Sequence, residues 1–200
     1  MRYADDFVVG FQHESDAVRF LEDLRERFRT FNLELHAQKT RVIEFGRFAA
    51  ERRKRRGQGK PETFNFLGFT HACDTTRQGR FIVLRQTMAQ RMRAKLGELK
   101  ESLSRRMHDG ITATGQWLGA VVRGHFRYYG VPRNYPALDR FRDRVRRLWR
   151  RALMRRSQKG YISEARMTRI ASCWLPTPCI CQPYPEARLA VMIQGKSPVR

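Results

Sequence analysis

The chain predicts an α+β fold: a small antiparallel sheet with a packed helix, then an all-α three-helix bundle. Two observations predict it. Up to Leu84 the apolar residues come in short aromatic or β-branched runs broken by Gly, Asp and Asn, the pattern of strands and turns. From Met88 onward they recur every three or four residues, the pattern of helices with one apolar stripe. The boundaries expected are a sheet domain over 1–85, a helical bundle over 86–160 and an irregular stretch over 161–200.

Phe7 to Phe11 is a nearly continuous apolar run and reads as a buried strand, with Asp5 and Asp6 before it where a tight turn falls. Two adjacent carboxylates repel, and burial beside a strand pushes one towards protonation unless a cation neutralises both. Carboxylate oxygens with no His or Cys beside them suit a hard ion such as Mg2+. Taken alone, the pair also reads as an exposed Asp-Asp turn. Ser15 is placed to cap a helix with apolar positions Ala17, Leu21, Leu24 and Phe28, acidic Asp16 early and Arg25, Arg27 and Arg29 late. Leu33 and Leu35, then Val42, Ile43 and Phe45, suggest two strands.

Glu51 to Lys60 reads as a mobile loop, since nothing in it can enter a core. Arg52, Arg53, Lys54, Arg55 and Arg56 within it suit a phosphate-contacting arm. Phe64 to Phe69 and Phe81 to Leu84 form a second pair of strands around a loop with Gly79. Gly68 marks a bulge, a close approach of another backbone, or a plain kink. Met88, Met92, Leu96, Leu99, Leu103 and Met107 then place one stripe along a long helix, with Thr87 and Gln90 as its capping box. Helices follow over about 112–129, with Trp117, Leu118, Val121 and Tyr128 as core, and over about 136–156. The last is rich in arginine, including Arg146, Arg147, Arg150 and Arg151, and phosphate contact is its favoured use.

Composition points the same way. Lys and Arg number 41 against 19 Asp and Glu, a formal net charge of +22. An excess this large repels itself and implies a polyanionic partner, most simply nucleic acid. No apolar run approaches a membrane-spanning length, and no signal peptide is visible at the start, so a cytoplasmic protein is expected. Four cysteines make no disulfide scaffold in 200 residues, and Cys173, Cys179 and Cys181 match no zinc pattern.

Several short motifs, in order, resemble the reverse transcriptases of group II introns. Tyr3, Ala4, Asp5 and Asp6 before an apolar strand are similar to the metal-binding hairpin of the palm. Leu33, Leu35, Lys39 and Thr40 resemble the L-x-L-x-x-x-K-T segment that follows it, and Phe66, Leu67, Gly68 and Phe69 resemble the F-L-G-F primer grip. Trp117, Leu118 and Gly119 through Arg123, Gly124, Tyr128 and Tyr129 are similar to the maturase region, and Pro183 to Pro185 with Gly195 to Pro198 to its ending.

The resemblance implies an RNA-directed DNA polymerase using two Mg2+ ions, with RNA, primer DNA and deoxynucleotide triphosphates as partners. It implies that Asp5 and Asp6 hold metal, that Lys39 sits near the incoming nucleotide's phosphates, and that Gly68, with Phe66 and Leu67, supports the primer end. Arg123, Arg127 and the arginines of the last helix would grip nucleic acid in a thumb and maturase region. The family also carries a metal-binding aspartate on an earlier palm strand, and fingers before it, which these 200 residues do not contain. The isolated chain is therefore expected to be inactive. The alternative is a non-catalytic maturase-like module that binds intron RNA and assists splicing. A DNA-binding helix-turn-helix protein would explain the charge but neither the Asp pair nor F-L-G-F.

Overall fold

A computed structural model describes residues 1–3, 5–156 and 160–184. Small antiparallel sheets with helices occupy the first part, and the rest is mostly helical. Two compact units divide the chain: residues 1–66 with 72–83, and residues 67–71 with 84–200.

The first unit opens on a hairpin of β1 (Arg2–Tyr3) and β2 (Asp6–Phe7), with Arg2 opposite Phe7 and Tyr3 opposite Asp6. Met1 and Val8 add reciprocal backbone bonds of 2.7 and 2.8 Å. The buried strand expected from Phe7 to Phe11 is not formed: regular pairing ends at Phe7, and Phe7, Val9 and Phe11 are exposed. A hairpin of two-residue strands offers no face broad enough to bury such a run. Helix α1 (Glu14–Arg29) follows, its N-cap His13 rather than Ser15 and with no side-chain cap. Its apolar stripe at Ala17, Leu21, Leu24 and Phe28 is half-buried.

Residues 33–45, read as two strands, hold no strand, because alternation without a partner ladder leaves the backbone unpaired. The basic segment read as a mobile loop carries helix α2 (Ala49–Arg55) instead. Its Glu, Arg and Lys residues are good helix formers, Glu51 and Arg55 pair one turn apart at 2.5 Å, and Ala49 is buried.

A three-stranded sheet has the order β3 (Phe64–Phe66), β4 (Phe69–Thr75), β5 (Phe81–Thr87). The first of these was read as one strand through Phe69, but Leu67 and Gly68 break it with φ of 49° and 76°. Two consecutive positive φ values make a two-residue loop of the type I′ kind, whose twist suits a hairpin.

The second unit holds α3 (Ala89–Arg105), α4 (Ile111–Tyr129), α5 (Tyr135–Met154) and α6 (Glu164–Trp174). Met92, Leu96, Leu99 and Leu103 meet Leu118, Val122 and Phe126, and Leu138, Phe141, Val145, Trp149 and Leu153, in one core. Three helices are expected and four form among the described residues, the fourth within the stretch expected to be irregular. Ser163 caps it through Arg166 N, and Met167, Ala171 and Leu175 close the core. The expected Thr87–Gln90 capping box is absent. Met88 is the N-cap of α3, and Thr87 is tied instead to buried Asn134, whose Nδ2 donates to Thr87 Oγ1 at 2.8 Å and whose Oδ1 accepts from Thr87 N at 3.1 Å. Tyr128, expected in the core, is 51% exposed.

Candidate functional site

In the first unit, Asp5 lies in the turn of the opening hairpin and Asp6 begins β2, and both are exposed. Carboxylate oxygens are the donors Mg2+ takes, and that ion is commonly held by one or two carboxylates with water completing its shell. The pair supplies the donor type and number that one such ion takes. A two-ion centre needs more, and no group of three His, Cys, Asp or Glu placed to hold a metal occurs among the described residues. That holds for Cys173, Cys179 and Cys181 as well, although the Cys179 and Cys181 sulfurs lie 3.5 Å apart.

Lys39 is exposed in a turn closed by its amide on His36 O at 3.1 Å. Arg52, Lys54, Arg55 and Arg56 are exposed along and after α2. Arg53 donates to Gly59 O at 3.2 Å and pairs with Glu62 at 3.8 Å, and Arg56 pairs with Glu44. The cationic segment is thus a held helix rather than a loose arm.

The F-L-G-F turn is divided by the unit boundary: Phe66 is buried in the first unit, and Leu67 to Phe69 belong to the second. Within the second unit the turn is held by the tyrosine pair that ends α4. Tyr128 Oη donates to Leu67 O at 2.9 Å, and its ring stacks on Phe69 with centroids 5.9 Å apart. A Cβ on Gly68 would lie 2.9 Å from Tyr129 Oη. Gly68 O in turn accepts from Met88 N, at 3.0 Å, where α3 begins. The left-handed φ favours glycine at this position, and a side chain there would also push on the Tyr129 hydroxyl. Close approach there is made by a side chain, Tyr129, on the Cβ side and by the Met88 backbone at the carbonyl.

Arg123 and Arg127 project exposed from α4. The arginines of α5 divide by face. Arg142, Arg146 and Arg150, one turn apart in succession, serve α6. Arg142 donates to Pro176 O at 3.0 Å and Leu175 O at 3.3 Å, satisfying carbonyls at the end of α6. Arg146 and Arg150 both pair with Glu164 at its start, Arg150 at 2.7 Å, and Arg150 also donates to Ile162 O at 2.8 Å. The Arg146 hydrogen bond, and then the charges around it, hold the Glu164 carboxyl below its usual range. Arg147 is exposed but pairs with Asp143 at 2.7 Å, and Arg151 is exposed. The structural duty of Arg142, Arg146 and Arg150 was not read from the sequence, because the helix they hold was not expected.

No helix among the described residues is long and apolar enough to cross a membrane. No curated protein and no solved structure matches the chain. A family model described as reverse transcriptase (RNA-dependent DNA polymerase) matches residues 1–71, the span that holds Asp5, Asp6, Lys39, the basic helix and the F-L-G-F turn. That family uses divalent metal and binds nucleic acid. Over residues 1–71 the chain is thus similar to the reverse transcriptase family.

Proposed function

We propose that the chain is a segment of a group II intron-type RNA-directed DNA polymerase. Residues 1–85 are the C-terminal part of its palm, and the helical bundle over 86–160 is the thumb and maturase region. The observation that carries this reading is the family match over the residues that include the Asp pair and F-L-G-F. Asp5 and Asp6 are the residues that would hold Mg2+, which when bound supplies activation of the attacking hydroxyl and neutralisation of the leaving pyrophosphate. Lys39 offers an exposed ammonium to the phosphates of a deoxynucleotide triphosphate. The Leu67–Gly68 turn, held by the Tyr128 hydroxyl on Leu67 O, presents its backbone to the primer end. Arg123, Arg127 and Arg151 hold template RNA and primer DNA through phosphate, so they add affinity without reading sequence.

A second reading is favoured by one observation: no third carboxylate joins the Asp pair among the described residues. Under it the basic helical unit binds structured intron RNA and assists splicing without polymerising. Extension of a DNA primer on an RNA template, with Mg2+ and deoxynucleotide triphosphates, separates the two. The chain is assayed alone and mixed with a separately made polymerase segment carrying the remaining carboxylate. The polymerase reading expects extension in the mixture only, abolished by Asp5→Ala. Extension indifferent to Asp5→Ala would overturn the role of the pair.

A further inference from the structure

A groove of about 420 Å3 runs between α3 and α5 within the helical unit, a volume in the range of about 300–1,000 Å3 typical of ligand sites. Its floor is apolar: Leu103 and Met107 come from the first wall, and Leu148 and Ala152 from the second. Lys100 stands one turn from Leu103, and Arg151 and Arg155 one turn from Leu148 and Ala152, so each wall repeats an apolar-and-cationic pattern at helical spacing. Lys100, Arg151 and Arg155 are exposed, and no acidic residue lines the groove. Among the described residues none of these three cations is held in an ion pair like those of Arg146 and Arg150 with Glu164.

We propose that this groove binds a nucleotide of single-stranded RNA, its base laid on the apolar floor and its phosphates on Lys100, Arg151 and Arg155. The inference rests on the RNA-binding reading above and adds a site to it. Three cations over an apolar floor call for a ligand with a flat apolar face and negative charge close beside it. Arginine's planar fork suits phosphate, and a chain of charge +22 draws a polyanion before it draws a neutral ligand. Duplex RNA keeps its bases stacked inside, so only an unstacked base reaches such a floor. The thioether of Met107 adds a polarisable contact for the ring.

The test uses the full chain and fluorescence anisotropy with two probes, a labelled oligouridine and an RNA duplex of the same length. Ala152→Phe fills the groove without altering charge. Its expected effect is a roughly tenfold loss of oligouridine affinity, the size of one stacked base, with duplex affinity within about twofold of wild type. Lys100→Ser with Arg155→Ser changes only exposed side chains, and is expected to make oligouridine binding less steeply dependent on salt by about two phosphate contacts. Unchanged oligouridine affinity in both variants, or equal losses for both probes, would overturn the groove while leaving RNA binding intact. Wild-type protein that binds neither probe would instead overturn the RNA-binding reading. Vesicles of phosphatidylglycerol and phosphatidylcholine serve as a third probe. Vesicle binding lost in Ala152→Phe, with oligouridine binding kept, would assign the groove to lipid and contradict the proposal.

Discussion

Gly68 shows how much one residue can be asked to do. Its φ of +76° is strained for any side chain, and a Cβ there would press on Tyr129 Oη at 2.9 Å. Gly68→Ala is therefore expected to cost about 1–3 kcal/mol, seen as a lower urea midpoint, and a neutral outcome would remove the tyrosine latch from the description. His125 offers a second test at this scale. It is buried, stacked on Phe141 with centroids 3.6 Å apart, and burial, followed by the charge of Lys95, lowers its pKa to about 4. Unfolded, it titrates near its ordinary value of about 6.5. Between those values the unfolded chain takes up a proton that the folded chain refuses. Stability is thus full above about pH 6.5 and falls as pH drops towards 4, by at most about 3 kcal/mol. Replacing His125 with Gln should flatten that slope in urea unfolding compared at about pH 7 and about pH 4.5. An unchanged slope would place the acid sensitivity elsewhere. The sequence could reveal glycine's freedom at Gly68 but not the tyrosine above it, which is 61 residues away in the chain.

At the scale of elements, α6 shows where local pattern was legible and where it was not. Helices α3, α4 and α5 could be read because long apolar stripes at helical spacing admit no other arrangement. The signal for α6 was also present, with Ser163 before Glu164 and Met167, Ile170, Ala171 and Trp174 at helical spacing. Prolines and cysteines just beyond it masked a short helix whose stability comes from docking. The strands expected over 33–45 failed for the opposite reason, since alternation states a preference but supplies no partner strand. Two further residues fix α6: a Cβ on Gly115 would lie 2.5 Å from the Trp174 ring, and one on Gly119 would lie 2.6 Å from Trp174 O. Gly115→Ala should therefore destabilise the helical unit by about 1–3 kcal/mol through overcrowding, and shift the fluorescence of Trp174. Glu164→Gln should raise amide exchange across α6 while leaving α3 and α4 protected. Exchange that rises equally in all four helices would mean that the Arg146 and Arg150 pairs do not act locally.

Across the whole molecule the two units are built differently. In the first, the buried apolar side chains among the described residues are Ala49 and Phe66, while Tyr3, Val9, Phe20, Phe31 and Leu33 remain exposed. The second encloses a contiguous core from four helices. Amide exchange should accordingly be fast through residues 1–48 and slow through α3 to α5. The chemistry follows the same division. The Asp pair and the family match lie at the front, whereas most of the exposed arginines proposed to hold RNA project from the helices. The carboxylate motif could be read from the sequence because two adjacent charges before an apolar run are costly. Which arginines remain open to RNA could not be read in full, because Arg146 and Arg150 are taken up by Glu164 of another helix.

The most direct measurement is the affinity of the full chain for a hybrid of template RNA and primer DNA across a salt series, for wild type, Asp5→Ala and an Arg123→Ser, Arg127→Ser, Arg151→Ser variant. Affinity should fall linearly with salt on logarithmic axes, remain unchanged in Asp5→Ala, and lose about three phosphate contacts of salt dependence in the arginine variant. Binding that is weak at low salt, or that vanishes with Asp5 while surviving the loss of the arginines, would contradict the assignment of RNA grip to the helices and chemistry to the Asp pair.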